Sequence, residues 1–187
     1  VPMNSGGTFR RWYGNRLSII KFDSKHYDLI TKNQGHRSPH LYFKQSAAWT
    51  KITASSFSIR YSEGGFINND ASMAVYEGTA DFFAIIGLLN SKVAQHYLSL
   101  VNESLNYTTG NVSSVPYVER DTSNIRSLVE HCIEISKSDW DSFETSWDFK
   151  EHPLIRWSRC LGDATSIGAT IQYYYGRRMP VSCPLEL

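Results

Sequence analysis

Two stretches of the chain carry apolar residues at the spacing of an amphipathic helix. In the first stretch they recur every three or four positions, at Phe82, Ile85, Ile86, Leu89, Val93, Tyr97 and Leu100. We therefore predict one helix from about Ala80 to Val101, with Thr79 as its N-cap and Asp81 in its first turn. Gly87 costs this helix about 1 kcal/mol relative to alanine, which indicates close packing against a sheet.

The second stretch predicts a helix capped by Ser123. Its apolar positions are Ile125, Leu128, Val129, Cys132, Ile133 and Ile135. A loose capping box at Ser138 and Asp141 predicts renewed helical structure up to about Phe149. The large side chains of this last part, Trp140, Phe143, Trp147 and Phe149, favour packing in the core or between domains.

Shorter segments before the first helix have the character of strands. Arg16–Phe22 predicts a strand, and the imperfect alternation in Thr50–Tyr61 predicts two β segments or one bulged strand. Gly64–Gly65 predicts a hairpin turn. The expected fold is α+β, a twisted and mainly antiparallel sheet packed by helices. We expect residues 1–122 to form this core and residues 123–187 a helical extension and tail.

The net charge of +1 over 187 residues conceals an uneven distribution. Residues 1–60 contain ten Lys or Arg and two Asp, a formal charge of +8, whereas residues 61–155 carry −9. This asymmetry indicates a surface that faces a polyanion, built from the first third of the chain. Scattered, solvated charge is the alternative.

Catalytic and metal-binding signatures are weak or missing. The three cysteines, Cys132, Cys160 and Cys183, lie too far apart in the sequence to suggest a disulfide framework or a zinc site. His36 and His40 are separated by Pro39, which breaks any helix that would align them on a metal. Neither a nucleotide-binding glycine loop nor a G-x-S-x-G elbow occurs. A binding module without a metal is therefore expected.

A polar, turn-rich passage follows the first predicted helix. Asn106, Tyr107, Thr108 and Asn111 lie in it, and their side chains can form hydrogen bonds without carrying a charge. The passage is a candidate for reading base edges or contacting phosphates. A solvent-exposed turn is the alternative.

Several of these segments carry a family resemblance. "LLNS" at Leu88–Ser91, Gly110 and the "VP" of Val115–Pro116 resemble the helix and following turn of target-recognition domains in adenine-specific DNA methyltransferases of the restriction-modification type. Four further segments are similar to the methyltransferase of BREX phage-defence systems: Arg10–Asn15, Trp49–Tyr61, Gly65–Tyr76 and Ser136–Phe149. The resemblance covers roughly residues 8–155.

The resemblance implies a specificity fragment of a longer, type IIG-like enzyme. Since neither an N-P-P-Y-type tetrapeptide nor a glycine-rich cofactor motif is found, no methyl transfer and no cofactor are expected here. A separate catalytic domain of the same parent chain would use S-adenosylmethionine to methylate adenine N6 on a flipped base. Without any apolar run of transmembrane length or a signal peptide, a cytoplasmic location and no membrane partner are expected.

Double-stranded DNA is then the expected partner, with Lys and Arg on phosphates and amides or hydroxyls on base edges. The predicted contact residues are Arg10, Arg11, Asn33, Gln34, Arg37, Lys44, Lys51, Arg60, Asn106, Tyr107, Thr108 and Asn111. The alternative is a protein-interaction module that docks the enzyme to other defence components or to an inhibitor resembling DNA. An exposed apolar patch from Trp140, Trp147 and Tyr173–Tyr175 would favour that alternative.

Overall fold

A computed structural model describes residues 1–36, 38–78, 81–102, 104–118 and 122–156. The chain divides into two compact units, the first comprising residues 1–138 and the second beginning at Asp139. The predicted boundary after residue 122 stays a prediction.

The strands of the first unit form two small sheets. They are β1 (Pro2–Asn4), β2 (Ser18–Ile19), β3 (Ser46–Thr50), β4 (Ile59–Ser62), β5 (Ile67–Asn68) and β6 (Ser72–Tyr76). One sheet has the order β2-β1-β5, with β1 antiparallel to β2 and parallel to β5. The other has the order β4-β3-β6 and is antiparallel throughout. Mainly antiparallel sheets packed by helices confirm the predicted α+β class.

The helices lie mostly after the strands. They are α1 (Ser24–Lys32), α2 (Phe82–Asn90), α3 (Lys92–Val101), α4 (Thr109–Ser113) and α5 (Ser123–Trp140), with a short 3-10 turn at Pro39–Leu41. Within the described part of the chain, none of the helices has the length and apolar character needed to cross a membrane.

The β4-β3-β6 sheet has one apolar and one polar face, because alternate side chains of a strand point to opposite sides. On the apolar face, Trp49 of β3 lies opposite Ile59 of β4, and both are buried. Helix α2 packs against β4 and α3, with Ile86 and Leu89 of α2 buried. The hydrophobic core therefore lies on the helical side of this sheet.

The polar face of this sheet meets the β2-β1-β5 sheet. Its residues, placed by the register of the three strands, include Ser46, Thr50, Arg60, Ser62 and Ser72. Asn4 Nδ2 donates to Ser62 Oγ at 3.2 Å, and Asn68 Nδ2 donates to Ser46 Oγ at 3.2 Å. Side-chain hydrogen bonds thus join the two sheets.

The prediction of one helix from Ala80 to Val101 is wrong. The chain leaves the helical conformation at Ser91, with φ −72° and ψ 157°, and the side chain of Ser91 accepts from Ala94 N to cap α3. Asp81 is the N-cap of α2, since its side chain accepts from Phe83 N and Ala84 N. The predicted cap at Thr79 lies outside the described residues.

The predicted hairpin at Gly64–Gly65 is also wrong. β4 before the turn pairs with β3, and β5 after it pairs with β1, so the turn connects two different sheets. The strand predicted over Arg16–Phe22 is reduced to Ser18–Ile19. Thr50–Tyr61 contains the end of β3 and the start of β4, in agreement with two β segments.

Helix α5 also differs from its prediction at both ends. Ser123 is its first helical residue rather than its cap, and the helix continues through Ser138 to Trp140. No new helix begins at Ser138, because turns follow Trp140. Trp140 is 5% exposed, whereas the Trp147 residue beyond the helix is 53% exposed.

Candidate nucleic-acid interface

Helix α1 stands on the surface of the first unit. It begins after Asp23, whose Oδ1 accepts from His26 N at 3.2 Å, and it ends at Lys32 with Asn33 as its C-cap. None of the residues of α1 is buried. Since helices are usually held by one buried face, α1 offers an unusually large part of its surface to a partner.

Aromatic rings hold the segment around α1 in place. Phe22 packs edge-on against Tyr27 with the ring centroids 5.4 Å apart, and Tyr27 lies 4.3 Å from His36. Phe22 also packs edge-on against Phe43 at 5.7 Å. The N–H of Phe43 donates to Phe66 O at 3.0 Å, which attaches the segment to the chain that follows β4.

Residues 21–44, which we call the basic segment, carry the most accessible positive charge of the chain's first third. Its exposed lysines are Lys21, Lys25, Lys32 and Lys44. No ion pair joins any of these four to an acidic residue within the described ranges. Asn33 and Gln34 are exposed directly after α1, and Gln34 adopts a left-handed backbone with φ 53°. Arg37 lies outside the described residues.

The polar passage after α3 has a different position and role. Residues 105–107 run along the chain that continues β3, through Tyr107 N to Lys51 O at 2.7 Å and Thr53 N to Leu105 O at 3.0 Å. Trp49 Nε1 also donates to Tyr107 O at 2.9 Å. The backbone of this passage is therefore fixed to the sheet rather than projecting into solvent.

Two side chains predicted to contact DNA in this passage are engaged within the protein. Thr108 caps α4 by accepting from Asn111 N at 3.2 Å, and its hydroxyl also hydrogen-bonds to Asn111 Oδ1. Asn111 Nδ2 donates to Asn102 Oδ1 at 2.9 Å. Asn106 differs, because its Oδ1 is buried without a hydrogen-bond partner. Hydrogen bonds that stabilise a loop must break if the same groups turn towards a base.

The other basic residues predicted to contact DNA are less accessible. Arg60 is 4% exposed, and burial lowers the pKa of its guanidinium to about 10. Lys51 forms an ion pair with Asp70 at 3.6 Å. Arg10 and Arg11 are partly buried, and the guanidinium of Arg11 lies 5.5 Å from the centroid of the Phe9 ring.

Seven of the predicted contact residues fall into two groups at opposite ends of β3. The basic segment, with Asn33, Gln34 and Lys44, joins the fold at the Ser46 end. Residues 105–111 join it at the Thr50 end. A strand rises about 3.4 Å per residue, so the two attachment points are about 14 Å apart.

Three exposed lysines were missing from the sequence-based set of contact residues. Lys25 and Lys32 lie seven positions apart on α1, about two helical turns, and Lys21 precedes the helix. The available signal was the cap at Asp23 followed by a short helix that carries two lysines. Arg16 is also absent from the predicted contact residues, but unlike these lysines it is bound to an acid, Glu63, through both of its terminal nitrogens.

Comparison with known proteins identifies two relatives, while no protein-family model matches the chain. The adenine-specific methyltransferase BrxX of Escherichia coli O9:H4 (strain HS) is 34% identical over 157 residues, covering 82% of this chain and 13% of the relative. The adenine-specific methyltransferase PglX of Lacticaseibacillus casei (strain Zhang) is 30% identical over 164 residues, covering 82% of this chain and 14% of the relative. The chain is thus homologous to a segment of these adenine-specific methyltransferases and spans only 13–14% of their length.

Proposed function

We propose that this chain recognises double-stranded DNA as the target-recognition segment of an adenine-specific DNA methyltransferase in bacterial phage defence. Methyl transfer from S-adenosylmethionine to adenine belongs, in this proposal, to other parts of the parent chain. The fragment itself carries no catalytic residues and acts in the cytoplasm, where the DNA is.

One observation carries the proposal: four exposed lysines and two exposed amides occur together in the basic segment. None of the four lysines is held in an ion pair within the described ranges, although Asp23 and Asp28 lie in the same segment. Their attraction to the phosphate backbone supplies most of non-specific DNA affinity. The amides of Asn33 and Gln34 have the donor and acceptor pair that matches the major-groove edge of adenine. Homology to adenine-specific methyltransferases supports DNA as the polyanion.

The dimensions of α1 suit this role. An α-helix with its side chains is about 10–12 Å in diameter, and the major groove of B-DNA, about 12 Å wide, admits one. With no residue of α1 buried, the helix can approach a groove without unfolding any core contact. In this arrangement Lys25 and Lys32 contact phosphates, and Asn33 and Gln34 lie at the end of the helix near base edges.

The test is binding of fluorescent duplexes by the purified chain, first at low salt and then at rising salt. In the combined variant Lys25→Ala, Lys32→Ala and Lys44→Ala, affinity for all duplexes should fall alike. The slope of log K against log salt should decrease by about 0.9 for each phosphate that the variant no longer neutralises. Lys92→Ala is the matched control, because Lys92 is an exposed lysine outside the basic segment.

A salt-insensitive affinity would reject the proposal, and so would an unchanged affinity of the triple variant. The protein-docking alternative has one observation in its favour. Leu17 and Ile19, in and next to edge strand β2, are 61% and 74% exposed. If Ile19→Asp abolished association with the remainder of the parent enzyme and the lysine variants did not alter DNA binding, docking would be the better description.

A further inference from the structure

A cleft at the Thr50 end of β3 is lined by hydroxyl groups. Its volume is about 190 Å³, including the part open to solvent, and its lining residues are Gly7, Thr8, Phe9, Thr50, Thr53, Ser56 and Ser58. Five of these side chains end in a hydroxyl, and none of the lining residues is acidic. Hydroxyl donors without carboxylates are typical of an anion site rather than a cation site.

A buried positive charge lies directly behind the cleft. Arg60 Nη2 donates to Thr50 Oγ1 at 3.3 Å, while Arg60 Nη1 is buried without a hydrogen-bond partner. No ion pair with Asp or Glu is found for Arg60 across the described ranges, and burial is the only cause that lowers its pKa. A buried guanidinium without a counter-charge is costly, so an anion nearby would stabilise it.

A second cation contacts a residue that lines the cleft. The Arg11 guanidinium is positioned over the ring of Phe9, which lines the cleft, and Arg11 Nε is buried without a partner. The chain can pass this close because Gly7 has φ 124°, and a Cβ there would lie 2.8 Å from Asn15 Nδ2. Each of the two arginines thus contacts one residue of the cleft, Arg60 through Thr50 and Arg11 through Phe9.

We propose that this cleft binds one phosphate group, with Arg60 as the buried counter-charge and the hydroxyls of Thr8, Ser56 and Ser58 as hydrogen-bond donors. Thr50 takes no part as a donor, because its hydroxyl already donates to Gly7 O at 3.1 Å. The proposal rests on the proposed function in one respect: the natural source of the phosphate is the backbone of a bound duplex. The cleft and the basic segment would then hold the duplex at two points along β3.

Thermal unfolding of the chain tests the site with inorganic phosphate as the probe. Ionic strength is held constant with chloride, so that general screening does not change. The wild-type Tm should rise with phosphate and then level off, as expected for a ligand that binds only the folded state. In Arg60→Met, the apparent phosphate affinity should fall about tenfold or more, since a charge-assisted hydrogen bond contributes on that order.

A second variant keeps the test decisive if Arg60→Met does not fold. Ser56→Asp places a carboxylate in the cleft, which should take the place of the anion and abolish the phosphate response. Ser55→Asp is the matched control, because Ser55 is exposed next to the cleft without lining it. Its phosphate response should equal that of the wild type.

The proposal is overturned if the wild type shows no saturable response to phosphate, or if the response survives in Ser56→Asp. Arg60 Nη1, which has no partner in the protein, would then form a hydrogen bond to a buried water molecule. A phosphate response together with no duplex binding would keep the site and reject the proposed function. Duplex binding of equal affinity in the wild type and Ser56→Asp, without a phosphate response, would reject the site alone.

Discussion

The side-chain amide of Asn90 forms a two-point pair with the backbone of Ile59. Asn90 Oδ1 accepts from Ile59 N at 3.1 Å, and Asn90 Nδ2 donates to Ile59 O at 3.0 Å. Asn90 is the last residue of α2, and Ile59 is the first of β4, so the pair joins the helical layer to the sheet. With Ser91 capping α3, the "LLNS" segment has a structural role in this chain.

The first prediction concerns this pair. In Asn90→Ala the N–H of Ile59 loses its partner in the core, whereas Ile59 O keeps a hydrogen bond from Trp12 N at 3.0 Å. We expect the free energy of unfolding to fall by about 1–3 kcal/mol in urea titrations. Asn33→Ala, at an exposed position, should remain within about 0.5 kcal/mol of the wild type. A similar loss of stability in both variants would refute the structural role.

A second prediction follows from the contact between α2 and α5. A Cβ at Gly87 would lie 2.9 Å from Val129 Cγ2, closer than real Cβ atoms come. Gly→Ala normally stabilises a helix by about 1 kcal/mol, but Gly87→Ala should destabilise this protein because the two helices must separate. Adding Val129→Ala should recover part of the stability in a double-mutant cycle of unfolding free energies.

Gly110→Ala provides the control for Gly87→Ala. Gly110 lies in α4, and a Cβ there would be 3.7 Å from Thr108 Oγ1, an ordinary contact. This variant should be neutral or slightly more stable. If both glycine variants were destabilised equally, the close approach to Val129 would not be the cause.

Helix periodicity predicted the helical layer because it is a local property of the sequence. In α2 the predicted apolar residues Phe82, Ile86 and Leu89 are buried, but in α3 Val93 and Leu100 are exposed and Ala94 and Leu98 are buried instead. The break at Ser91 depends on hydrogen bonds to its own hydroxyl and on the Asn90–Ile59 pair. Neither interaction leaves a mark in the apolar spacing of the sequence. The approach of Gly87 to α5 instead of the sheet likewise depends on tertiary packing.

Sheet partners and buried charges were less accessible to sequence reasoning. The turn at Gly64–Gly65 has hairpin chemistry, yet β4 finds its partner in β3 and β5 finds its partner in β1, choices made between distant segments. Arg60 was predicted to face DNA because it belongs to the positively charged first third of the chain. The register of β4 instead directs it into the space between the two sheets, as alternation along a strand requires.

The third prediction is a dependence of stability on pH. Burial acts to raise the pKa of Glu63, but the hydrogen bonds and charge of Arg16 outweigh it, so the pKa is lowered. The resulting stabilisation is complete above the pKa of about 4.3 for an unfolded glutamate and is lost as pH falls through the lower folded value. We expect the difference in Tm between wild type and Glu63→Gln to shrink from pH 6 to below pH 4. An exposed-site control, Glu144→Gln, should show no comparable difference at pH 6.

The last prediction separates reading of DNA from support of the fold. Asn33 and Gln34 are exposed, so their change to Ala should leave unfolding unaltered. If one of them reads a base edge, its removal should cost about 1–3 kcal/mol on the true target and relax preference at a single position. Asn111 is held by Asn102 and Thr108, and Asn111→Ala should therefore lower Tm without changing the preferred sequence. Binding selection on randomised duplexes, alongside thermal unfolding of each variant, measures both quantities. A relaxed preference in Asn111→Ala with intact preference in both Asn33→Ala and Gln34→Ala would move the reading role to the passage after α3, at the Thr50 end of β3.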